Sequence, residues 1–516
     1  MRERKMRLQL AASLAGALLW ATPAPAQTRI DVDLGAETHT IAPAIYGQFL
    51  EHVGTQPYGG IWVGPDSDIP NTDGIRDDVF GALKALDVPV IRWPGGCYAD
   101  LYHWRDGIGP RDTRPGRVNM VWGGTEESNA FGSHEFFDLA ERLGAKTYLN
   151  LNLGTGTAAE AADWLEYLTA ETGDRATERA ENGREAPYKI DFLSIGNETW
   201  GCGGALTASA YADLYAQFAS FAKTAGDQPV RILSGAHDGN PEYTDTLLAH
   251  PYIADLIEGV SLHVYTLPTG EWSKKGAAKG FPEAEWASTI KRTLRMEDVI
   301  ADQRAIIAKH ENLADGFGLY VDEWGMWVDQ DEAKDPPALY QDGTIRDAVV
   351  AGLNLNIFHR NADLVKMTNI AQMVNVLQAM ILTDGPDMVL TPTYHVFEMY
   401  KPFMGAEALP VSYTSPDYTL GDITVSAISL SAARTADGQL VVALVNADAN
   451  ASHDVDLTAF GAKKAEGRLL TAKTMDAGNT FADPDAVHPV PLTAKAKGKT
   501  LVLDLPPRSV AVVVLN

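Results

Sequence analysis

Two apolar runs of strand length end in a glutamate: KIDFLSIGNETW carries Glu198 behind Asn197, and GFGLYVDEWGMW carries Glu323 at its centre. Apolar strands that stop abruptly at polar residues are how a parallel barrel presents reactive groups at one rim. The two carboxylates are 125 residues apart, so they belong to separate strands that can face each other across a pocket. Cleaving a glycosidic bond needs one carboxylic acid to protonate the leaving oxygen. A second carboxylate must attack the anomeric carbon or activate water. A single glutamate in such a run is ordinarily a salt-bridge partner or a helix cap, but two at matching strand ends point to paired acid chemistry. On this reading Glu198 is the candidate acid/base and Glu323 the candidate nucleophile, about 5 Å apart if configuration is retained. Asn197 is positioned to hydrogen-bond a sugar hydroxyl.

Eight apolar runs mark the strands that would position them, at 45–52, 88–96, 145–153, 190–198, 230–236, 258–265, 318–325 and 364–372. Helical periodicity lies between them. GIRDDVFGALKALD places Ile75, Val79, Leu83 and Leu86 on one face, and SHEFFDLAERLG does the same with Phe136, Leu139, Ala140 and Leu143 before a glycine stop. Strand and helix alternating in this way predict an α/β fold, a (β/α)8 TIM barrel over 45–406. A doubly wound open sheet is the alternative, but no Gly-rich dinucleotide fingerprint follows the first strand. Over 407–516 the texture changes to short β-rich runs split by Gly, Asp and Asn turns, which predicts a C-terminal antiparallel, jelly-roll-like β-sandwich. The segment 27–44, with its alternating TRIDVDL, is expected to add a strand to that sandwich. The charged stretch 171–187 reads as a surface loop, and Gln378 as part of a helix after the eighth strand. The Pro- and Asp-rich segment before that strand, DQDEAKDPPALYQDGTIRD, reads as a loop shaping the cleft.

A net charge of −26 over 516 residues disfavours nucleic acid or an anionic membrane as partner and suits a neutral polysaccharide. Residues 1–26 carry a basic start, the apolar run LQLAASLAGALLW and a small-residue site ending at Ala26. That layout predicts a cleaved signal peptide and export to periplasm or medium. Two cysteines, Cys97 and Cys202, are too few for a disulfide scaffold and too few for a zinc site. Both follow predicted barrel strands, so they could pair, but nothing in the sequence requires it.

The segments YGQFLEHVG, VIRWPGGCYADLYHWRDGIGPRDTRP, NMVWGGTEESNAFGSHEFF, LSIGNETWGCGG, SLHVYT, VDEWGMW and NIAQMVNVLQAM together resemble glycoside hydrolase family 51, the α-L-arabinofuranosidases. The resemblance spans most of the chain. It implies a barrel accompanied by a β-sandwich, and a retaining, exo-acting hydrolase that removes terminal arabinofuranosyl groups from arabinan, arabinoxylan or their oligosaccharides. It implies no metal and no cofactor, and homo-oligomers, hexamers among them. Residue by residue it makes Glu198 the acid/base and Glu323 the nucleophile. Glu51, Cys97, Asn197, Tyr265 and Gln372 become ring-binding residues, and Trp122 and Trp327 the aromatic walls. Arg92 becomes the strand-two arginine that holds Glu323 ionised. His52 and His263 flank the site as orienting residues. Related barrels act on β-xylosides or β-glucans, and a catalytically dead sugar-binding protein is the reading outside enzymes.

Overall fold

The computed structural model describes residues 28–334 and 338–516; the proposed signal segment lies outside them. Eight parallel strands close into a barrel. They are β1 (Gly47–Phe49), β2 (Val90–Trp93), β3 (Lys146–Leu151), β4 (Phe192–Ile195), β5 (Val230–Leu233), β6 (Gly259–Thr266), β7 (Gly318–Met326) and β8 (Val365–Ile370). Each coincides with one of the apolar runs read from the sequence, β6 and β7 passing its end by one residue, because a strand buried on both faces has no polar side to alternate with. The lumen near the strand starts is plugged by Ala44, Val90, Tyr148, Phe192, Ile232, Tyr320 and Met367. Beyond this plug the lumen turns polar at the strand ends, where Glu198 and Glu323 lie.

Two sheets form the second domain. One, of five strands, runs Val411–Tyr413, Thr28–Val32, His453–Asp456, Thr500–Leu505 and Lys495–Lys497; the other has seven strands, with Leu440–Asn446 and Ser509–Leu515 at its centre. The pairing of Thr28–Val32 with Val411–Tyr413 is antiparallel, and its contact with His453–Asp456 is parallel. Period-two alternation explains why LVVALVN is apolar throughout. Val442 and Leu444 face the sandwich interior, whereas Val441, Ala443 and Val445 belong to the core shared with the barrel. The helix Ile345–Arg360 lies in that seam and is buried from Ile345 through His359. A Cβ at Gly352 would come within 2.9 Å of Val445, so only glycine allows the sheet this close. His359 ties both domains, with one ring nitrogen 2.7 Å from the Tyr46 hydroxyl and the other 2.9 Å from Ser431 Oγ.

Two local expectations are corrected. The stretch 171–187 contains a helix, Asp174–Glu181, whose Arg179 is buried and donates to the carbonyls of Tyr167, Ala170 and Glu185. Its charged composition hid one inward-facing residue per turn. Gln378 is in no helix. It sits in irregular chain between β8 and the hairpin Ile381–Leu390, donates to Asp347 O and Thr393 Oγ1, and accepts from Met326 N. Its backbone-bracing role replaces helical periodicity as the reason for its burial. Among the described residues no helix is long and apolar enough to cross a membrane.

Candidate active site

β4 ends at Ile195, and the chain then turns through Gly196 (φ 80°) and Glu198 (φ 42°). A left-handed glutamate is an uncommon conformation, of order 1–3 kcal/mol unfavourable, and persists where its surroundings fix it. Here the fixing group is Asp100, buried after β2, whose carboxylate accepts from the backbone nitrogens of Asn197 (2.9 Å), Leu153 and Gly154 (both 2.8 Å). That carboxyl ties the ends of β3 and β4 together, and burial raises its pKa to about 6.

β7 brings Glu323 to the same place. Regular alternation would send Asp322 and Glu323 to opposite faces. The register with β8 shifts between Val321 and Trp324, and that with β6 between Ser261 and His263. Such bulges re-aim side chains, and both carboxylates reach the same two cations. Arg92 Nη1 donates to Glu323 Oε1 at 2.8 Å, while Arg92 Nε stands 3.7 Å from Asp322 Oδ2. His263 Nε2 is 3.1 Å from Asp322 Oδ1, and its Nδ1 is 2.9 Å from Glu198 Oε1 and 3.4 Å from Glu323 Oε2. Tyr265 donates its hydroxyl to Glu323 Oε2 at 2.8 Å, and Tyr148 donates to Asp322 Oδ2 at 2.8 Å.

One atom from each of Glu198, His263 and Glu323 lies within 4.8 Å of the others. Burial alone would lower His263, but the Glu323 and Asp322 carboxylates outweigh it and raise its pKa to about 10. Burial would likewise raise Asp322, but Arg92 and His263 hold it below the usual carboxylate range. Glu198 is raised by burial, with His263 opposing and Glu323 adding to the rise. Two cations thus face three carboxyl groups, and the upward shift of Glu198 favours its protonated form. A protonated acid beside a paired carboxylate at this distance can release a leaving oxygen and attack the carbon it leaves.

A pocket of about 30 Å³ opens over the pair, lined by Glu51, Cys97, Trp122, Glu198, Tyr265, Glu323, Trp327 and Gln372, with Gly96, Leu339 and Leu377. Glu51 Oε1 accepts from Tyr98 N (3.0 Å) and Trp122 Nε1 (2.9 Å), and Oε2 accepts from Gln372 Nε2 (3.0 Å). Burial, helped by Glu323, raises Glu51 to about 7. A Cβ at Gly96 would stand 3.0 Å from both Glu51 oxygens.

Of the residues singled out in the sequence, Arg92 and Asn197 are not on the pocket wall. Arg92 is 1% exposed and donates through Nη2 to Asn197 Oδ1. It holds carboxylates and the amide in place, since none of its surface is left for a sugar. Cys97 does line the pocket, but as half of a disulfide with Cys202. The wall therefore offers a sulfur without a thiol proton, and Cys202 Sγ lies 3.6 Å from Glu198 Oε2. His263 orients both carboxylates, whereas His52 is remote from them. It stacks on Tyr102 with ring centroids 5.5 Å apart and faces Glu127 at 3.3 Å. Sequence reasoning passed over Asp322, Asp100, Tyr148 and Trp200. Asp322 stood beside Glu323 in the same motif, but alternation pointed it away from the pocket.

Matches to known proteins agree with this geometry. Residues 82–275 match the family profile described as the alpha-L-arabinofuranosidase 1 domain, and 322–509 that of the alpha-L-arabinofuranosidase C-terminal domain. A Bacteroides ovatus protein named intracellular exo-alpha-L-arabinofuranosidase is 43% identical over 512 residues, covering 98% of each chain. A probable alpha-L-arabinofuranosidase C of Aspergillus flavus is 34% identical over 428 residues, 79% of this chain and 82% of its own. The crystal structure of the GH51 arabinofuranosidase from Xanthomonas axonopodis pv. citri superposes with a TM-score of 0.91 at 44% identity, covering 95% of this chain and 100% of that one.

The Bacteroides relative overturns the expected export. It is 43% identical over 98% of this chain and is named an intracellular enzyme. A basic start followed by a short apolar run is a compositional signal, and it carries no more weight than that. Barrel, sandwich, facing carboxylates and full-length relatives converge: the chain belongs to the α-L-arabinofuranosidases of glycoside hydrolase family 51 and is a glycoside hydrolase.

Proposed function

We propose that the protein is a retaining, exo-acting α-L-arabinofuranosidase that releases terminal arabinofuranosyl groups from arabinose-containing glycans by double displacement. The observation that carries this reading is the approach of Glu198 and Glu323, with His263, to within 4.8 Å. That spacing fits the roughly 5–5.5 Å of a retaining pair and falls short of the roughly 6.5–9.5 Å of an inverting one. Glu323, steadied by Arg92 and Tyr265, attacks C1 while Glu198 gives its proton to the aglycone oxygen. Glu198, now ionised, takes a proton from the incoming water, which releases arabinose from Glu323. Glu51, with Gln372 and Trp122 ordered on its oxygens, binds ring hydroxyls. Asn197 sits behind the pocket wall, its amide oxygen held by Arg92 and its amide nitrogen 3.9 Å from Cys202 Sγ. The relative named as an exo-acting enzyme supports a single terminal sugar as the bound unit.

The test is the stereochemistry of methanolysis, followed by proton NMR on an aryl α-L-arabinofuranoside. Methyl α-L-arabinofuranoside is the expected first product. Formation of the β-anomer would refute double displacement.

A further inference from the structure

The loop between β2 and β3 carries a hairpin, Arg117–Asn119 paired antiparallel with Thr125–Glu127. Trp122 stands near its tip, just before the turn Gly123–Gly124. Two strands of three residues are too short to hold a position by themselves. Apolar burial does not hold them either, for Val118 and Met120 are 59% and 79% exposed. Trp122 is nonetheless set closely enough for its Nε1 to donate to Glu51 Oε1 at 2.9 Å. Polar groups must therefore fix the hairpin.

Those groups are buried at its base. Asn119 Nδ2 donates to Glu127 Oε1 at 3.0 Å and to the carbonyl of His52 at 2.7 Å, which joins both hairpin strands to the residue after Glu51. Asn119 Oδ1 accepts from Trp122 N at 3.1 Å and so fixes where the indole starts. The second Glu127 oxygen faces His52 Nδ1 at 3.3 Å. Glu127 is almost wholly buried, and His52 and Asn119 are fully so. Four aromatic rings cage the imidazole: Tyr98 and Tyr102 with centroids 5.2 and 5.5 Å from its own, Tyr58 and Trp93 at 6.0 Å. Apolar residues would fill this space without the desolvation that a buried carboxylate costs. They would not set the angle of Trp122.

We propose that Glu127 is a positioning residue for sugar binding: with Asn119 and His52 it forms a clasp that holds the hairpin so that Trp122 meets Glu51. This rests on the arabinofuranosidase reading above and adds to it a group that never touches the sugar. The hairpin grips Glu51 through the indole and His52 through the clasp, so one wall of the pocket and its ring-binding carboxylate move as a unit. Opening the clasp frees Trp122 from Glu51 and leaves Glu198, Glu323 and their cations in place.

The experiment measures hydrolysis of an aryl α-L-arabinofuranoside by the wild type, Glu127→Ala, Glu127→Gln, Trp122→Phe and the double variant of Glu127→Ala with Trp122→Phe. Trp122→Phe removes the indole N–H and is expected to lower kcat/KM roughly tenfold. Glu127→Ala is expected to lower it roughly three- to tenfold, chiefly through KM. Since Glu127 acts through Trp122, the double variant should lose little more than Trp122→Phe alone. Glu127→Gln should recover most of the loss. Its oxygen still accepts from Asn119, and its NH2 donates to His52 Nδ1 once the ring proton moves to Nε2, which has no hydrogen-bond partner among the described residues. Wild-type kcat/KM in Glu127→Ala, losses that multiply in the double variant, or a Glu127→Gln no better than Glu127→Ala would each overturn the proposal. Should Glu127→Ala not fold, Asn119→Ala takes its place in the cycle with the same expectation. If the wild type cleaves no arabinofuranoside, the activity reading fails, and calorimetric titration with L-arabinose decides the clasp. Weaker binding to Glu127→Ala would then support it, and equal binding would overturn it.

Discussion

The inner pocket over the glutamate pair and the larger outer cavity of about 560 Å³ share Glu198, Tyr265 and Trp327 and are built on opposite principles. Around the inner one, polar groups are tied to one another: Glu51 to Gln372 and Trp122, Glu323 to Arg92 and Tyr265, Asp322 to Tyr148 and His263. Apart from Trp122, which lies in the loop between β2 and β3, these residues sit in the barrel strands or within two residues of their ends, so the barrel itself sets their distances. The outer cavity is made of loops and one helix face, with an exposed tryptophan and an ion pair, Arg295 with Asp238, that is about half exposed. Groups that tolerate little displacement are placed on the closed sheet, and the outer cavity is lined by segments that can change without disturbing it.

That contrast is broken most severely by Arg92→Met. The change leaves Glu323 and Asp322 buried with only His263 of their two shared cations, and thermal or urea unfolding should show a loss of about 3–5 kcal/mol. A loss below 1 kcal/mol would mean that the inner network is not held by this residue. Next comes Cys202→Ser. The bond it removes closes a loop spanning 105 residues, and its absence should lower stability by about 2–4 kcal/mol. Activity should fall as well, because the bond anchors the turn that carries Glu198; full activity would show the turn to be held by Asp100 alone.

Glu51 gives a smaller, pH-dependent effect. Its folded pKa is raised from 4.5 to about 7, chiefly by burial. A carboxyl raised on folding stabilises the fold while protonated, fully so below its unfolded value, and that contribution is lost as pH rises through the folded one. Measured against Glu51→Gln, wild-type stability should therefore decline between pH 4.5 and about 7 and then level off. A rise over that window would contradict the assignment. The least effect belongs to the outer cavity, where Asp238→Asn breaks an exposed pair and should change stability by about 0–1 kcal/mol. A larger loss would erase the distinction between the two regions.

The barrel was legible because strands buried on both faces leave unbroken apolar runs, and each glutamate marks where one of those runs ends. The glutamate pair and the Glu51, Tyr265 and Gln372 shell were legible through ordered motifs. Asp322 was not, since its place depends on a bulge that period-two alternation does not foresee. Asp100 acts through backbone nitrogens, which have no sequence signature. The disulfide depends on two loops meeting across 105 residues, and the spacing of two cysteines says nothing about such a meeting. The buried Arg179 was masked by the charged run around it.

The central claim is the division of labour between Glu198 and Glu323, and azide tests it most directly. An aryl α-L-arabinofuranoside is supplied with azide to Glu323→Ala and to Glu198→Ala, and the anomeric configuration of the arabinosyl azide is read by NMR. With Glu323 absent, azide attacks in its place and the product should be inverted, β-L-arabinofuranosyl azide. With Glu198 absent, Glu323 still forms the intermediate and azide should displace it to give the retained α-azide. Reversed configurations, or either variant hydrolysing at the wild-type rate without azide, would contradict the account.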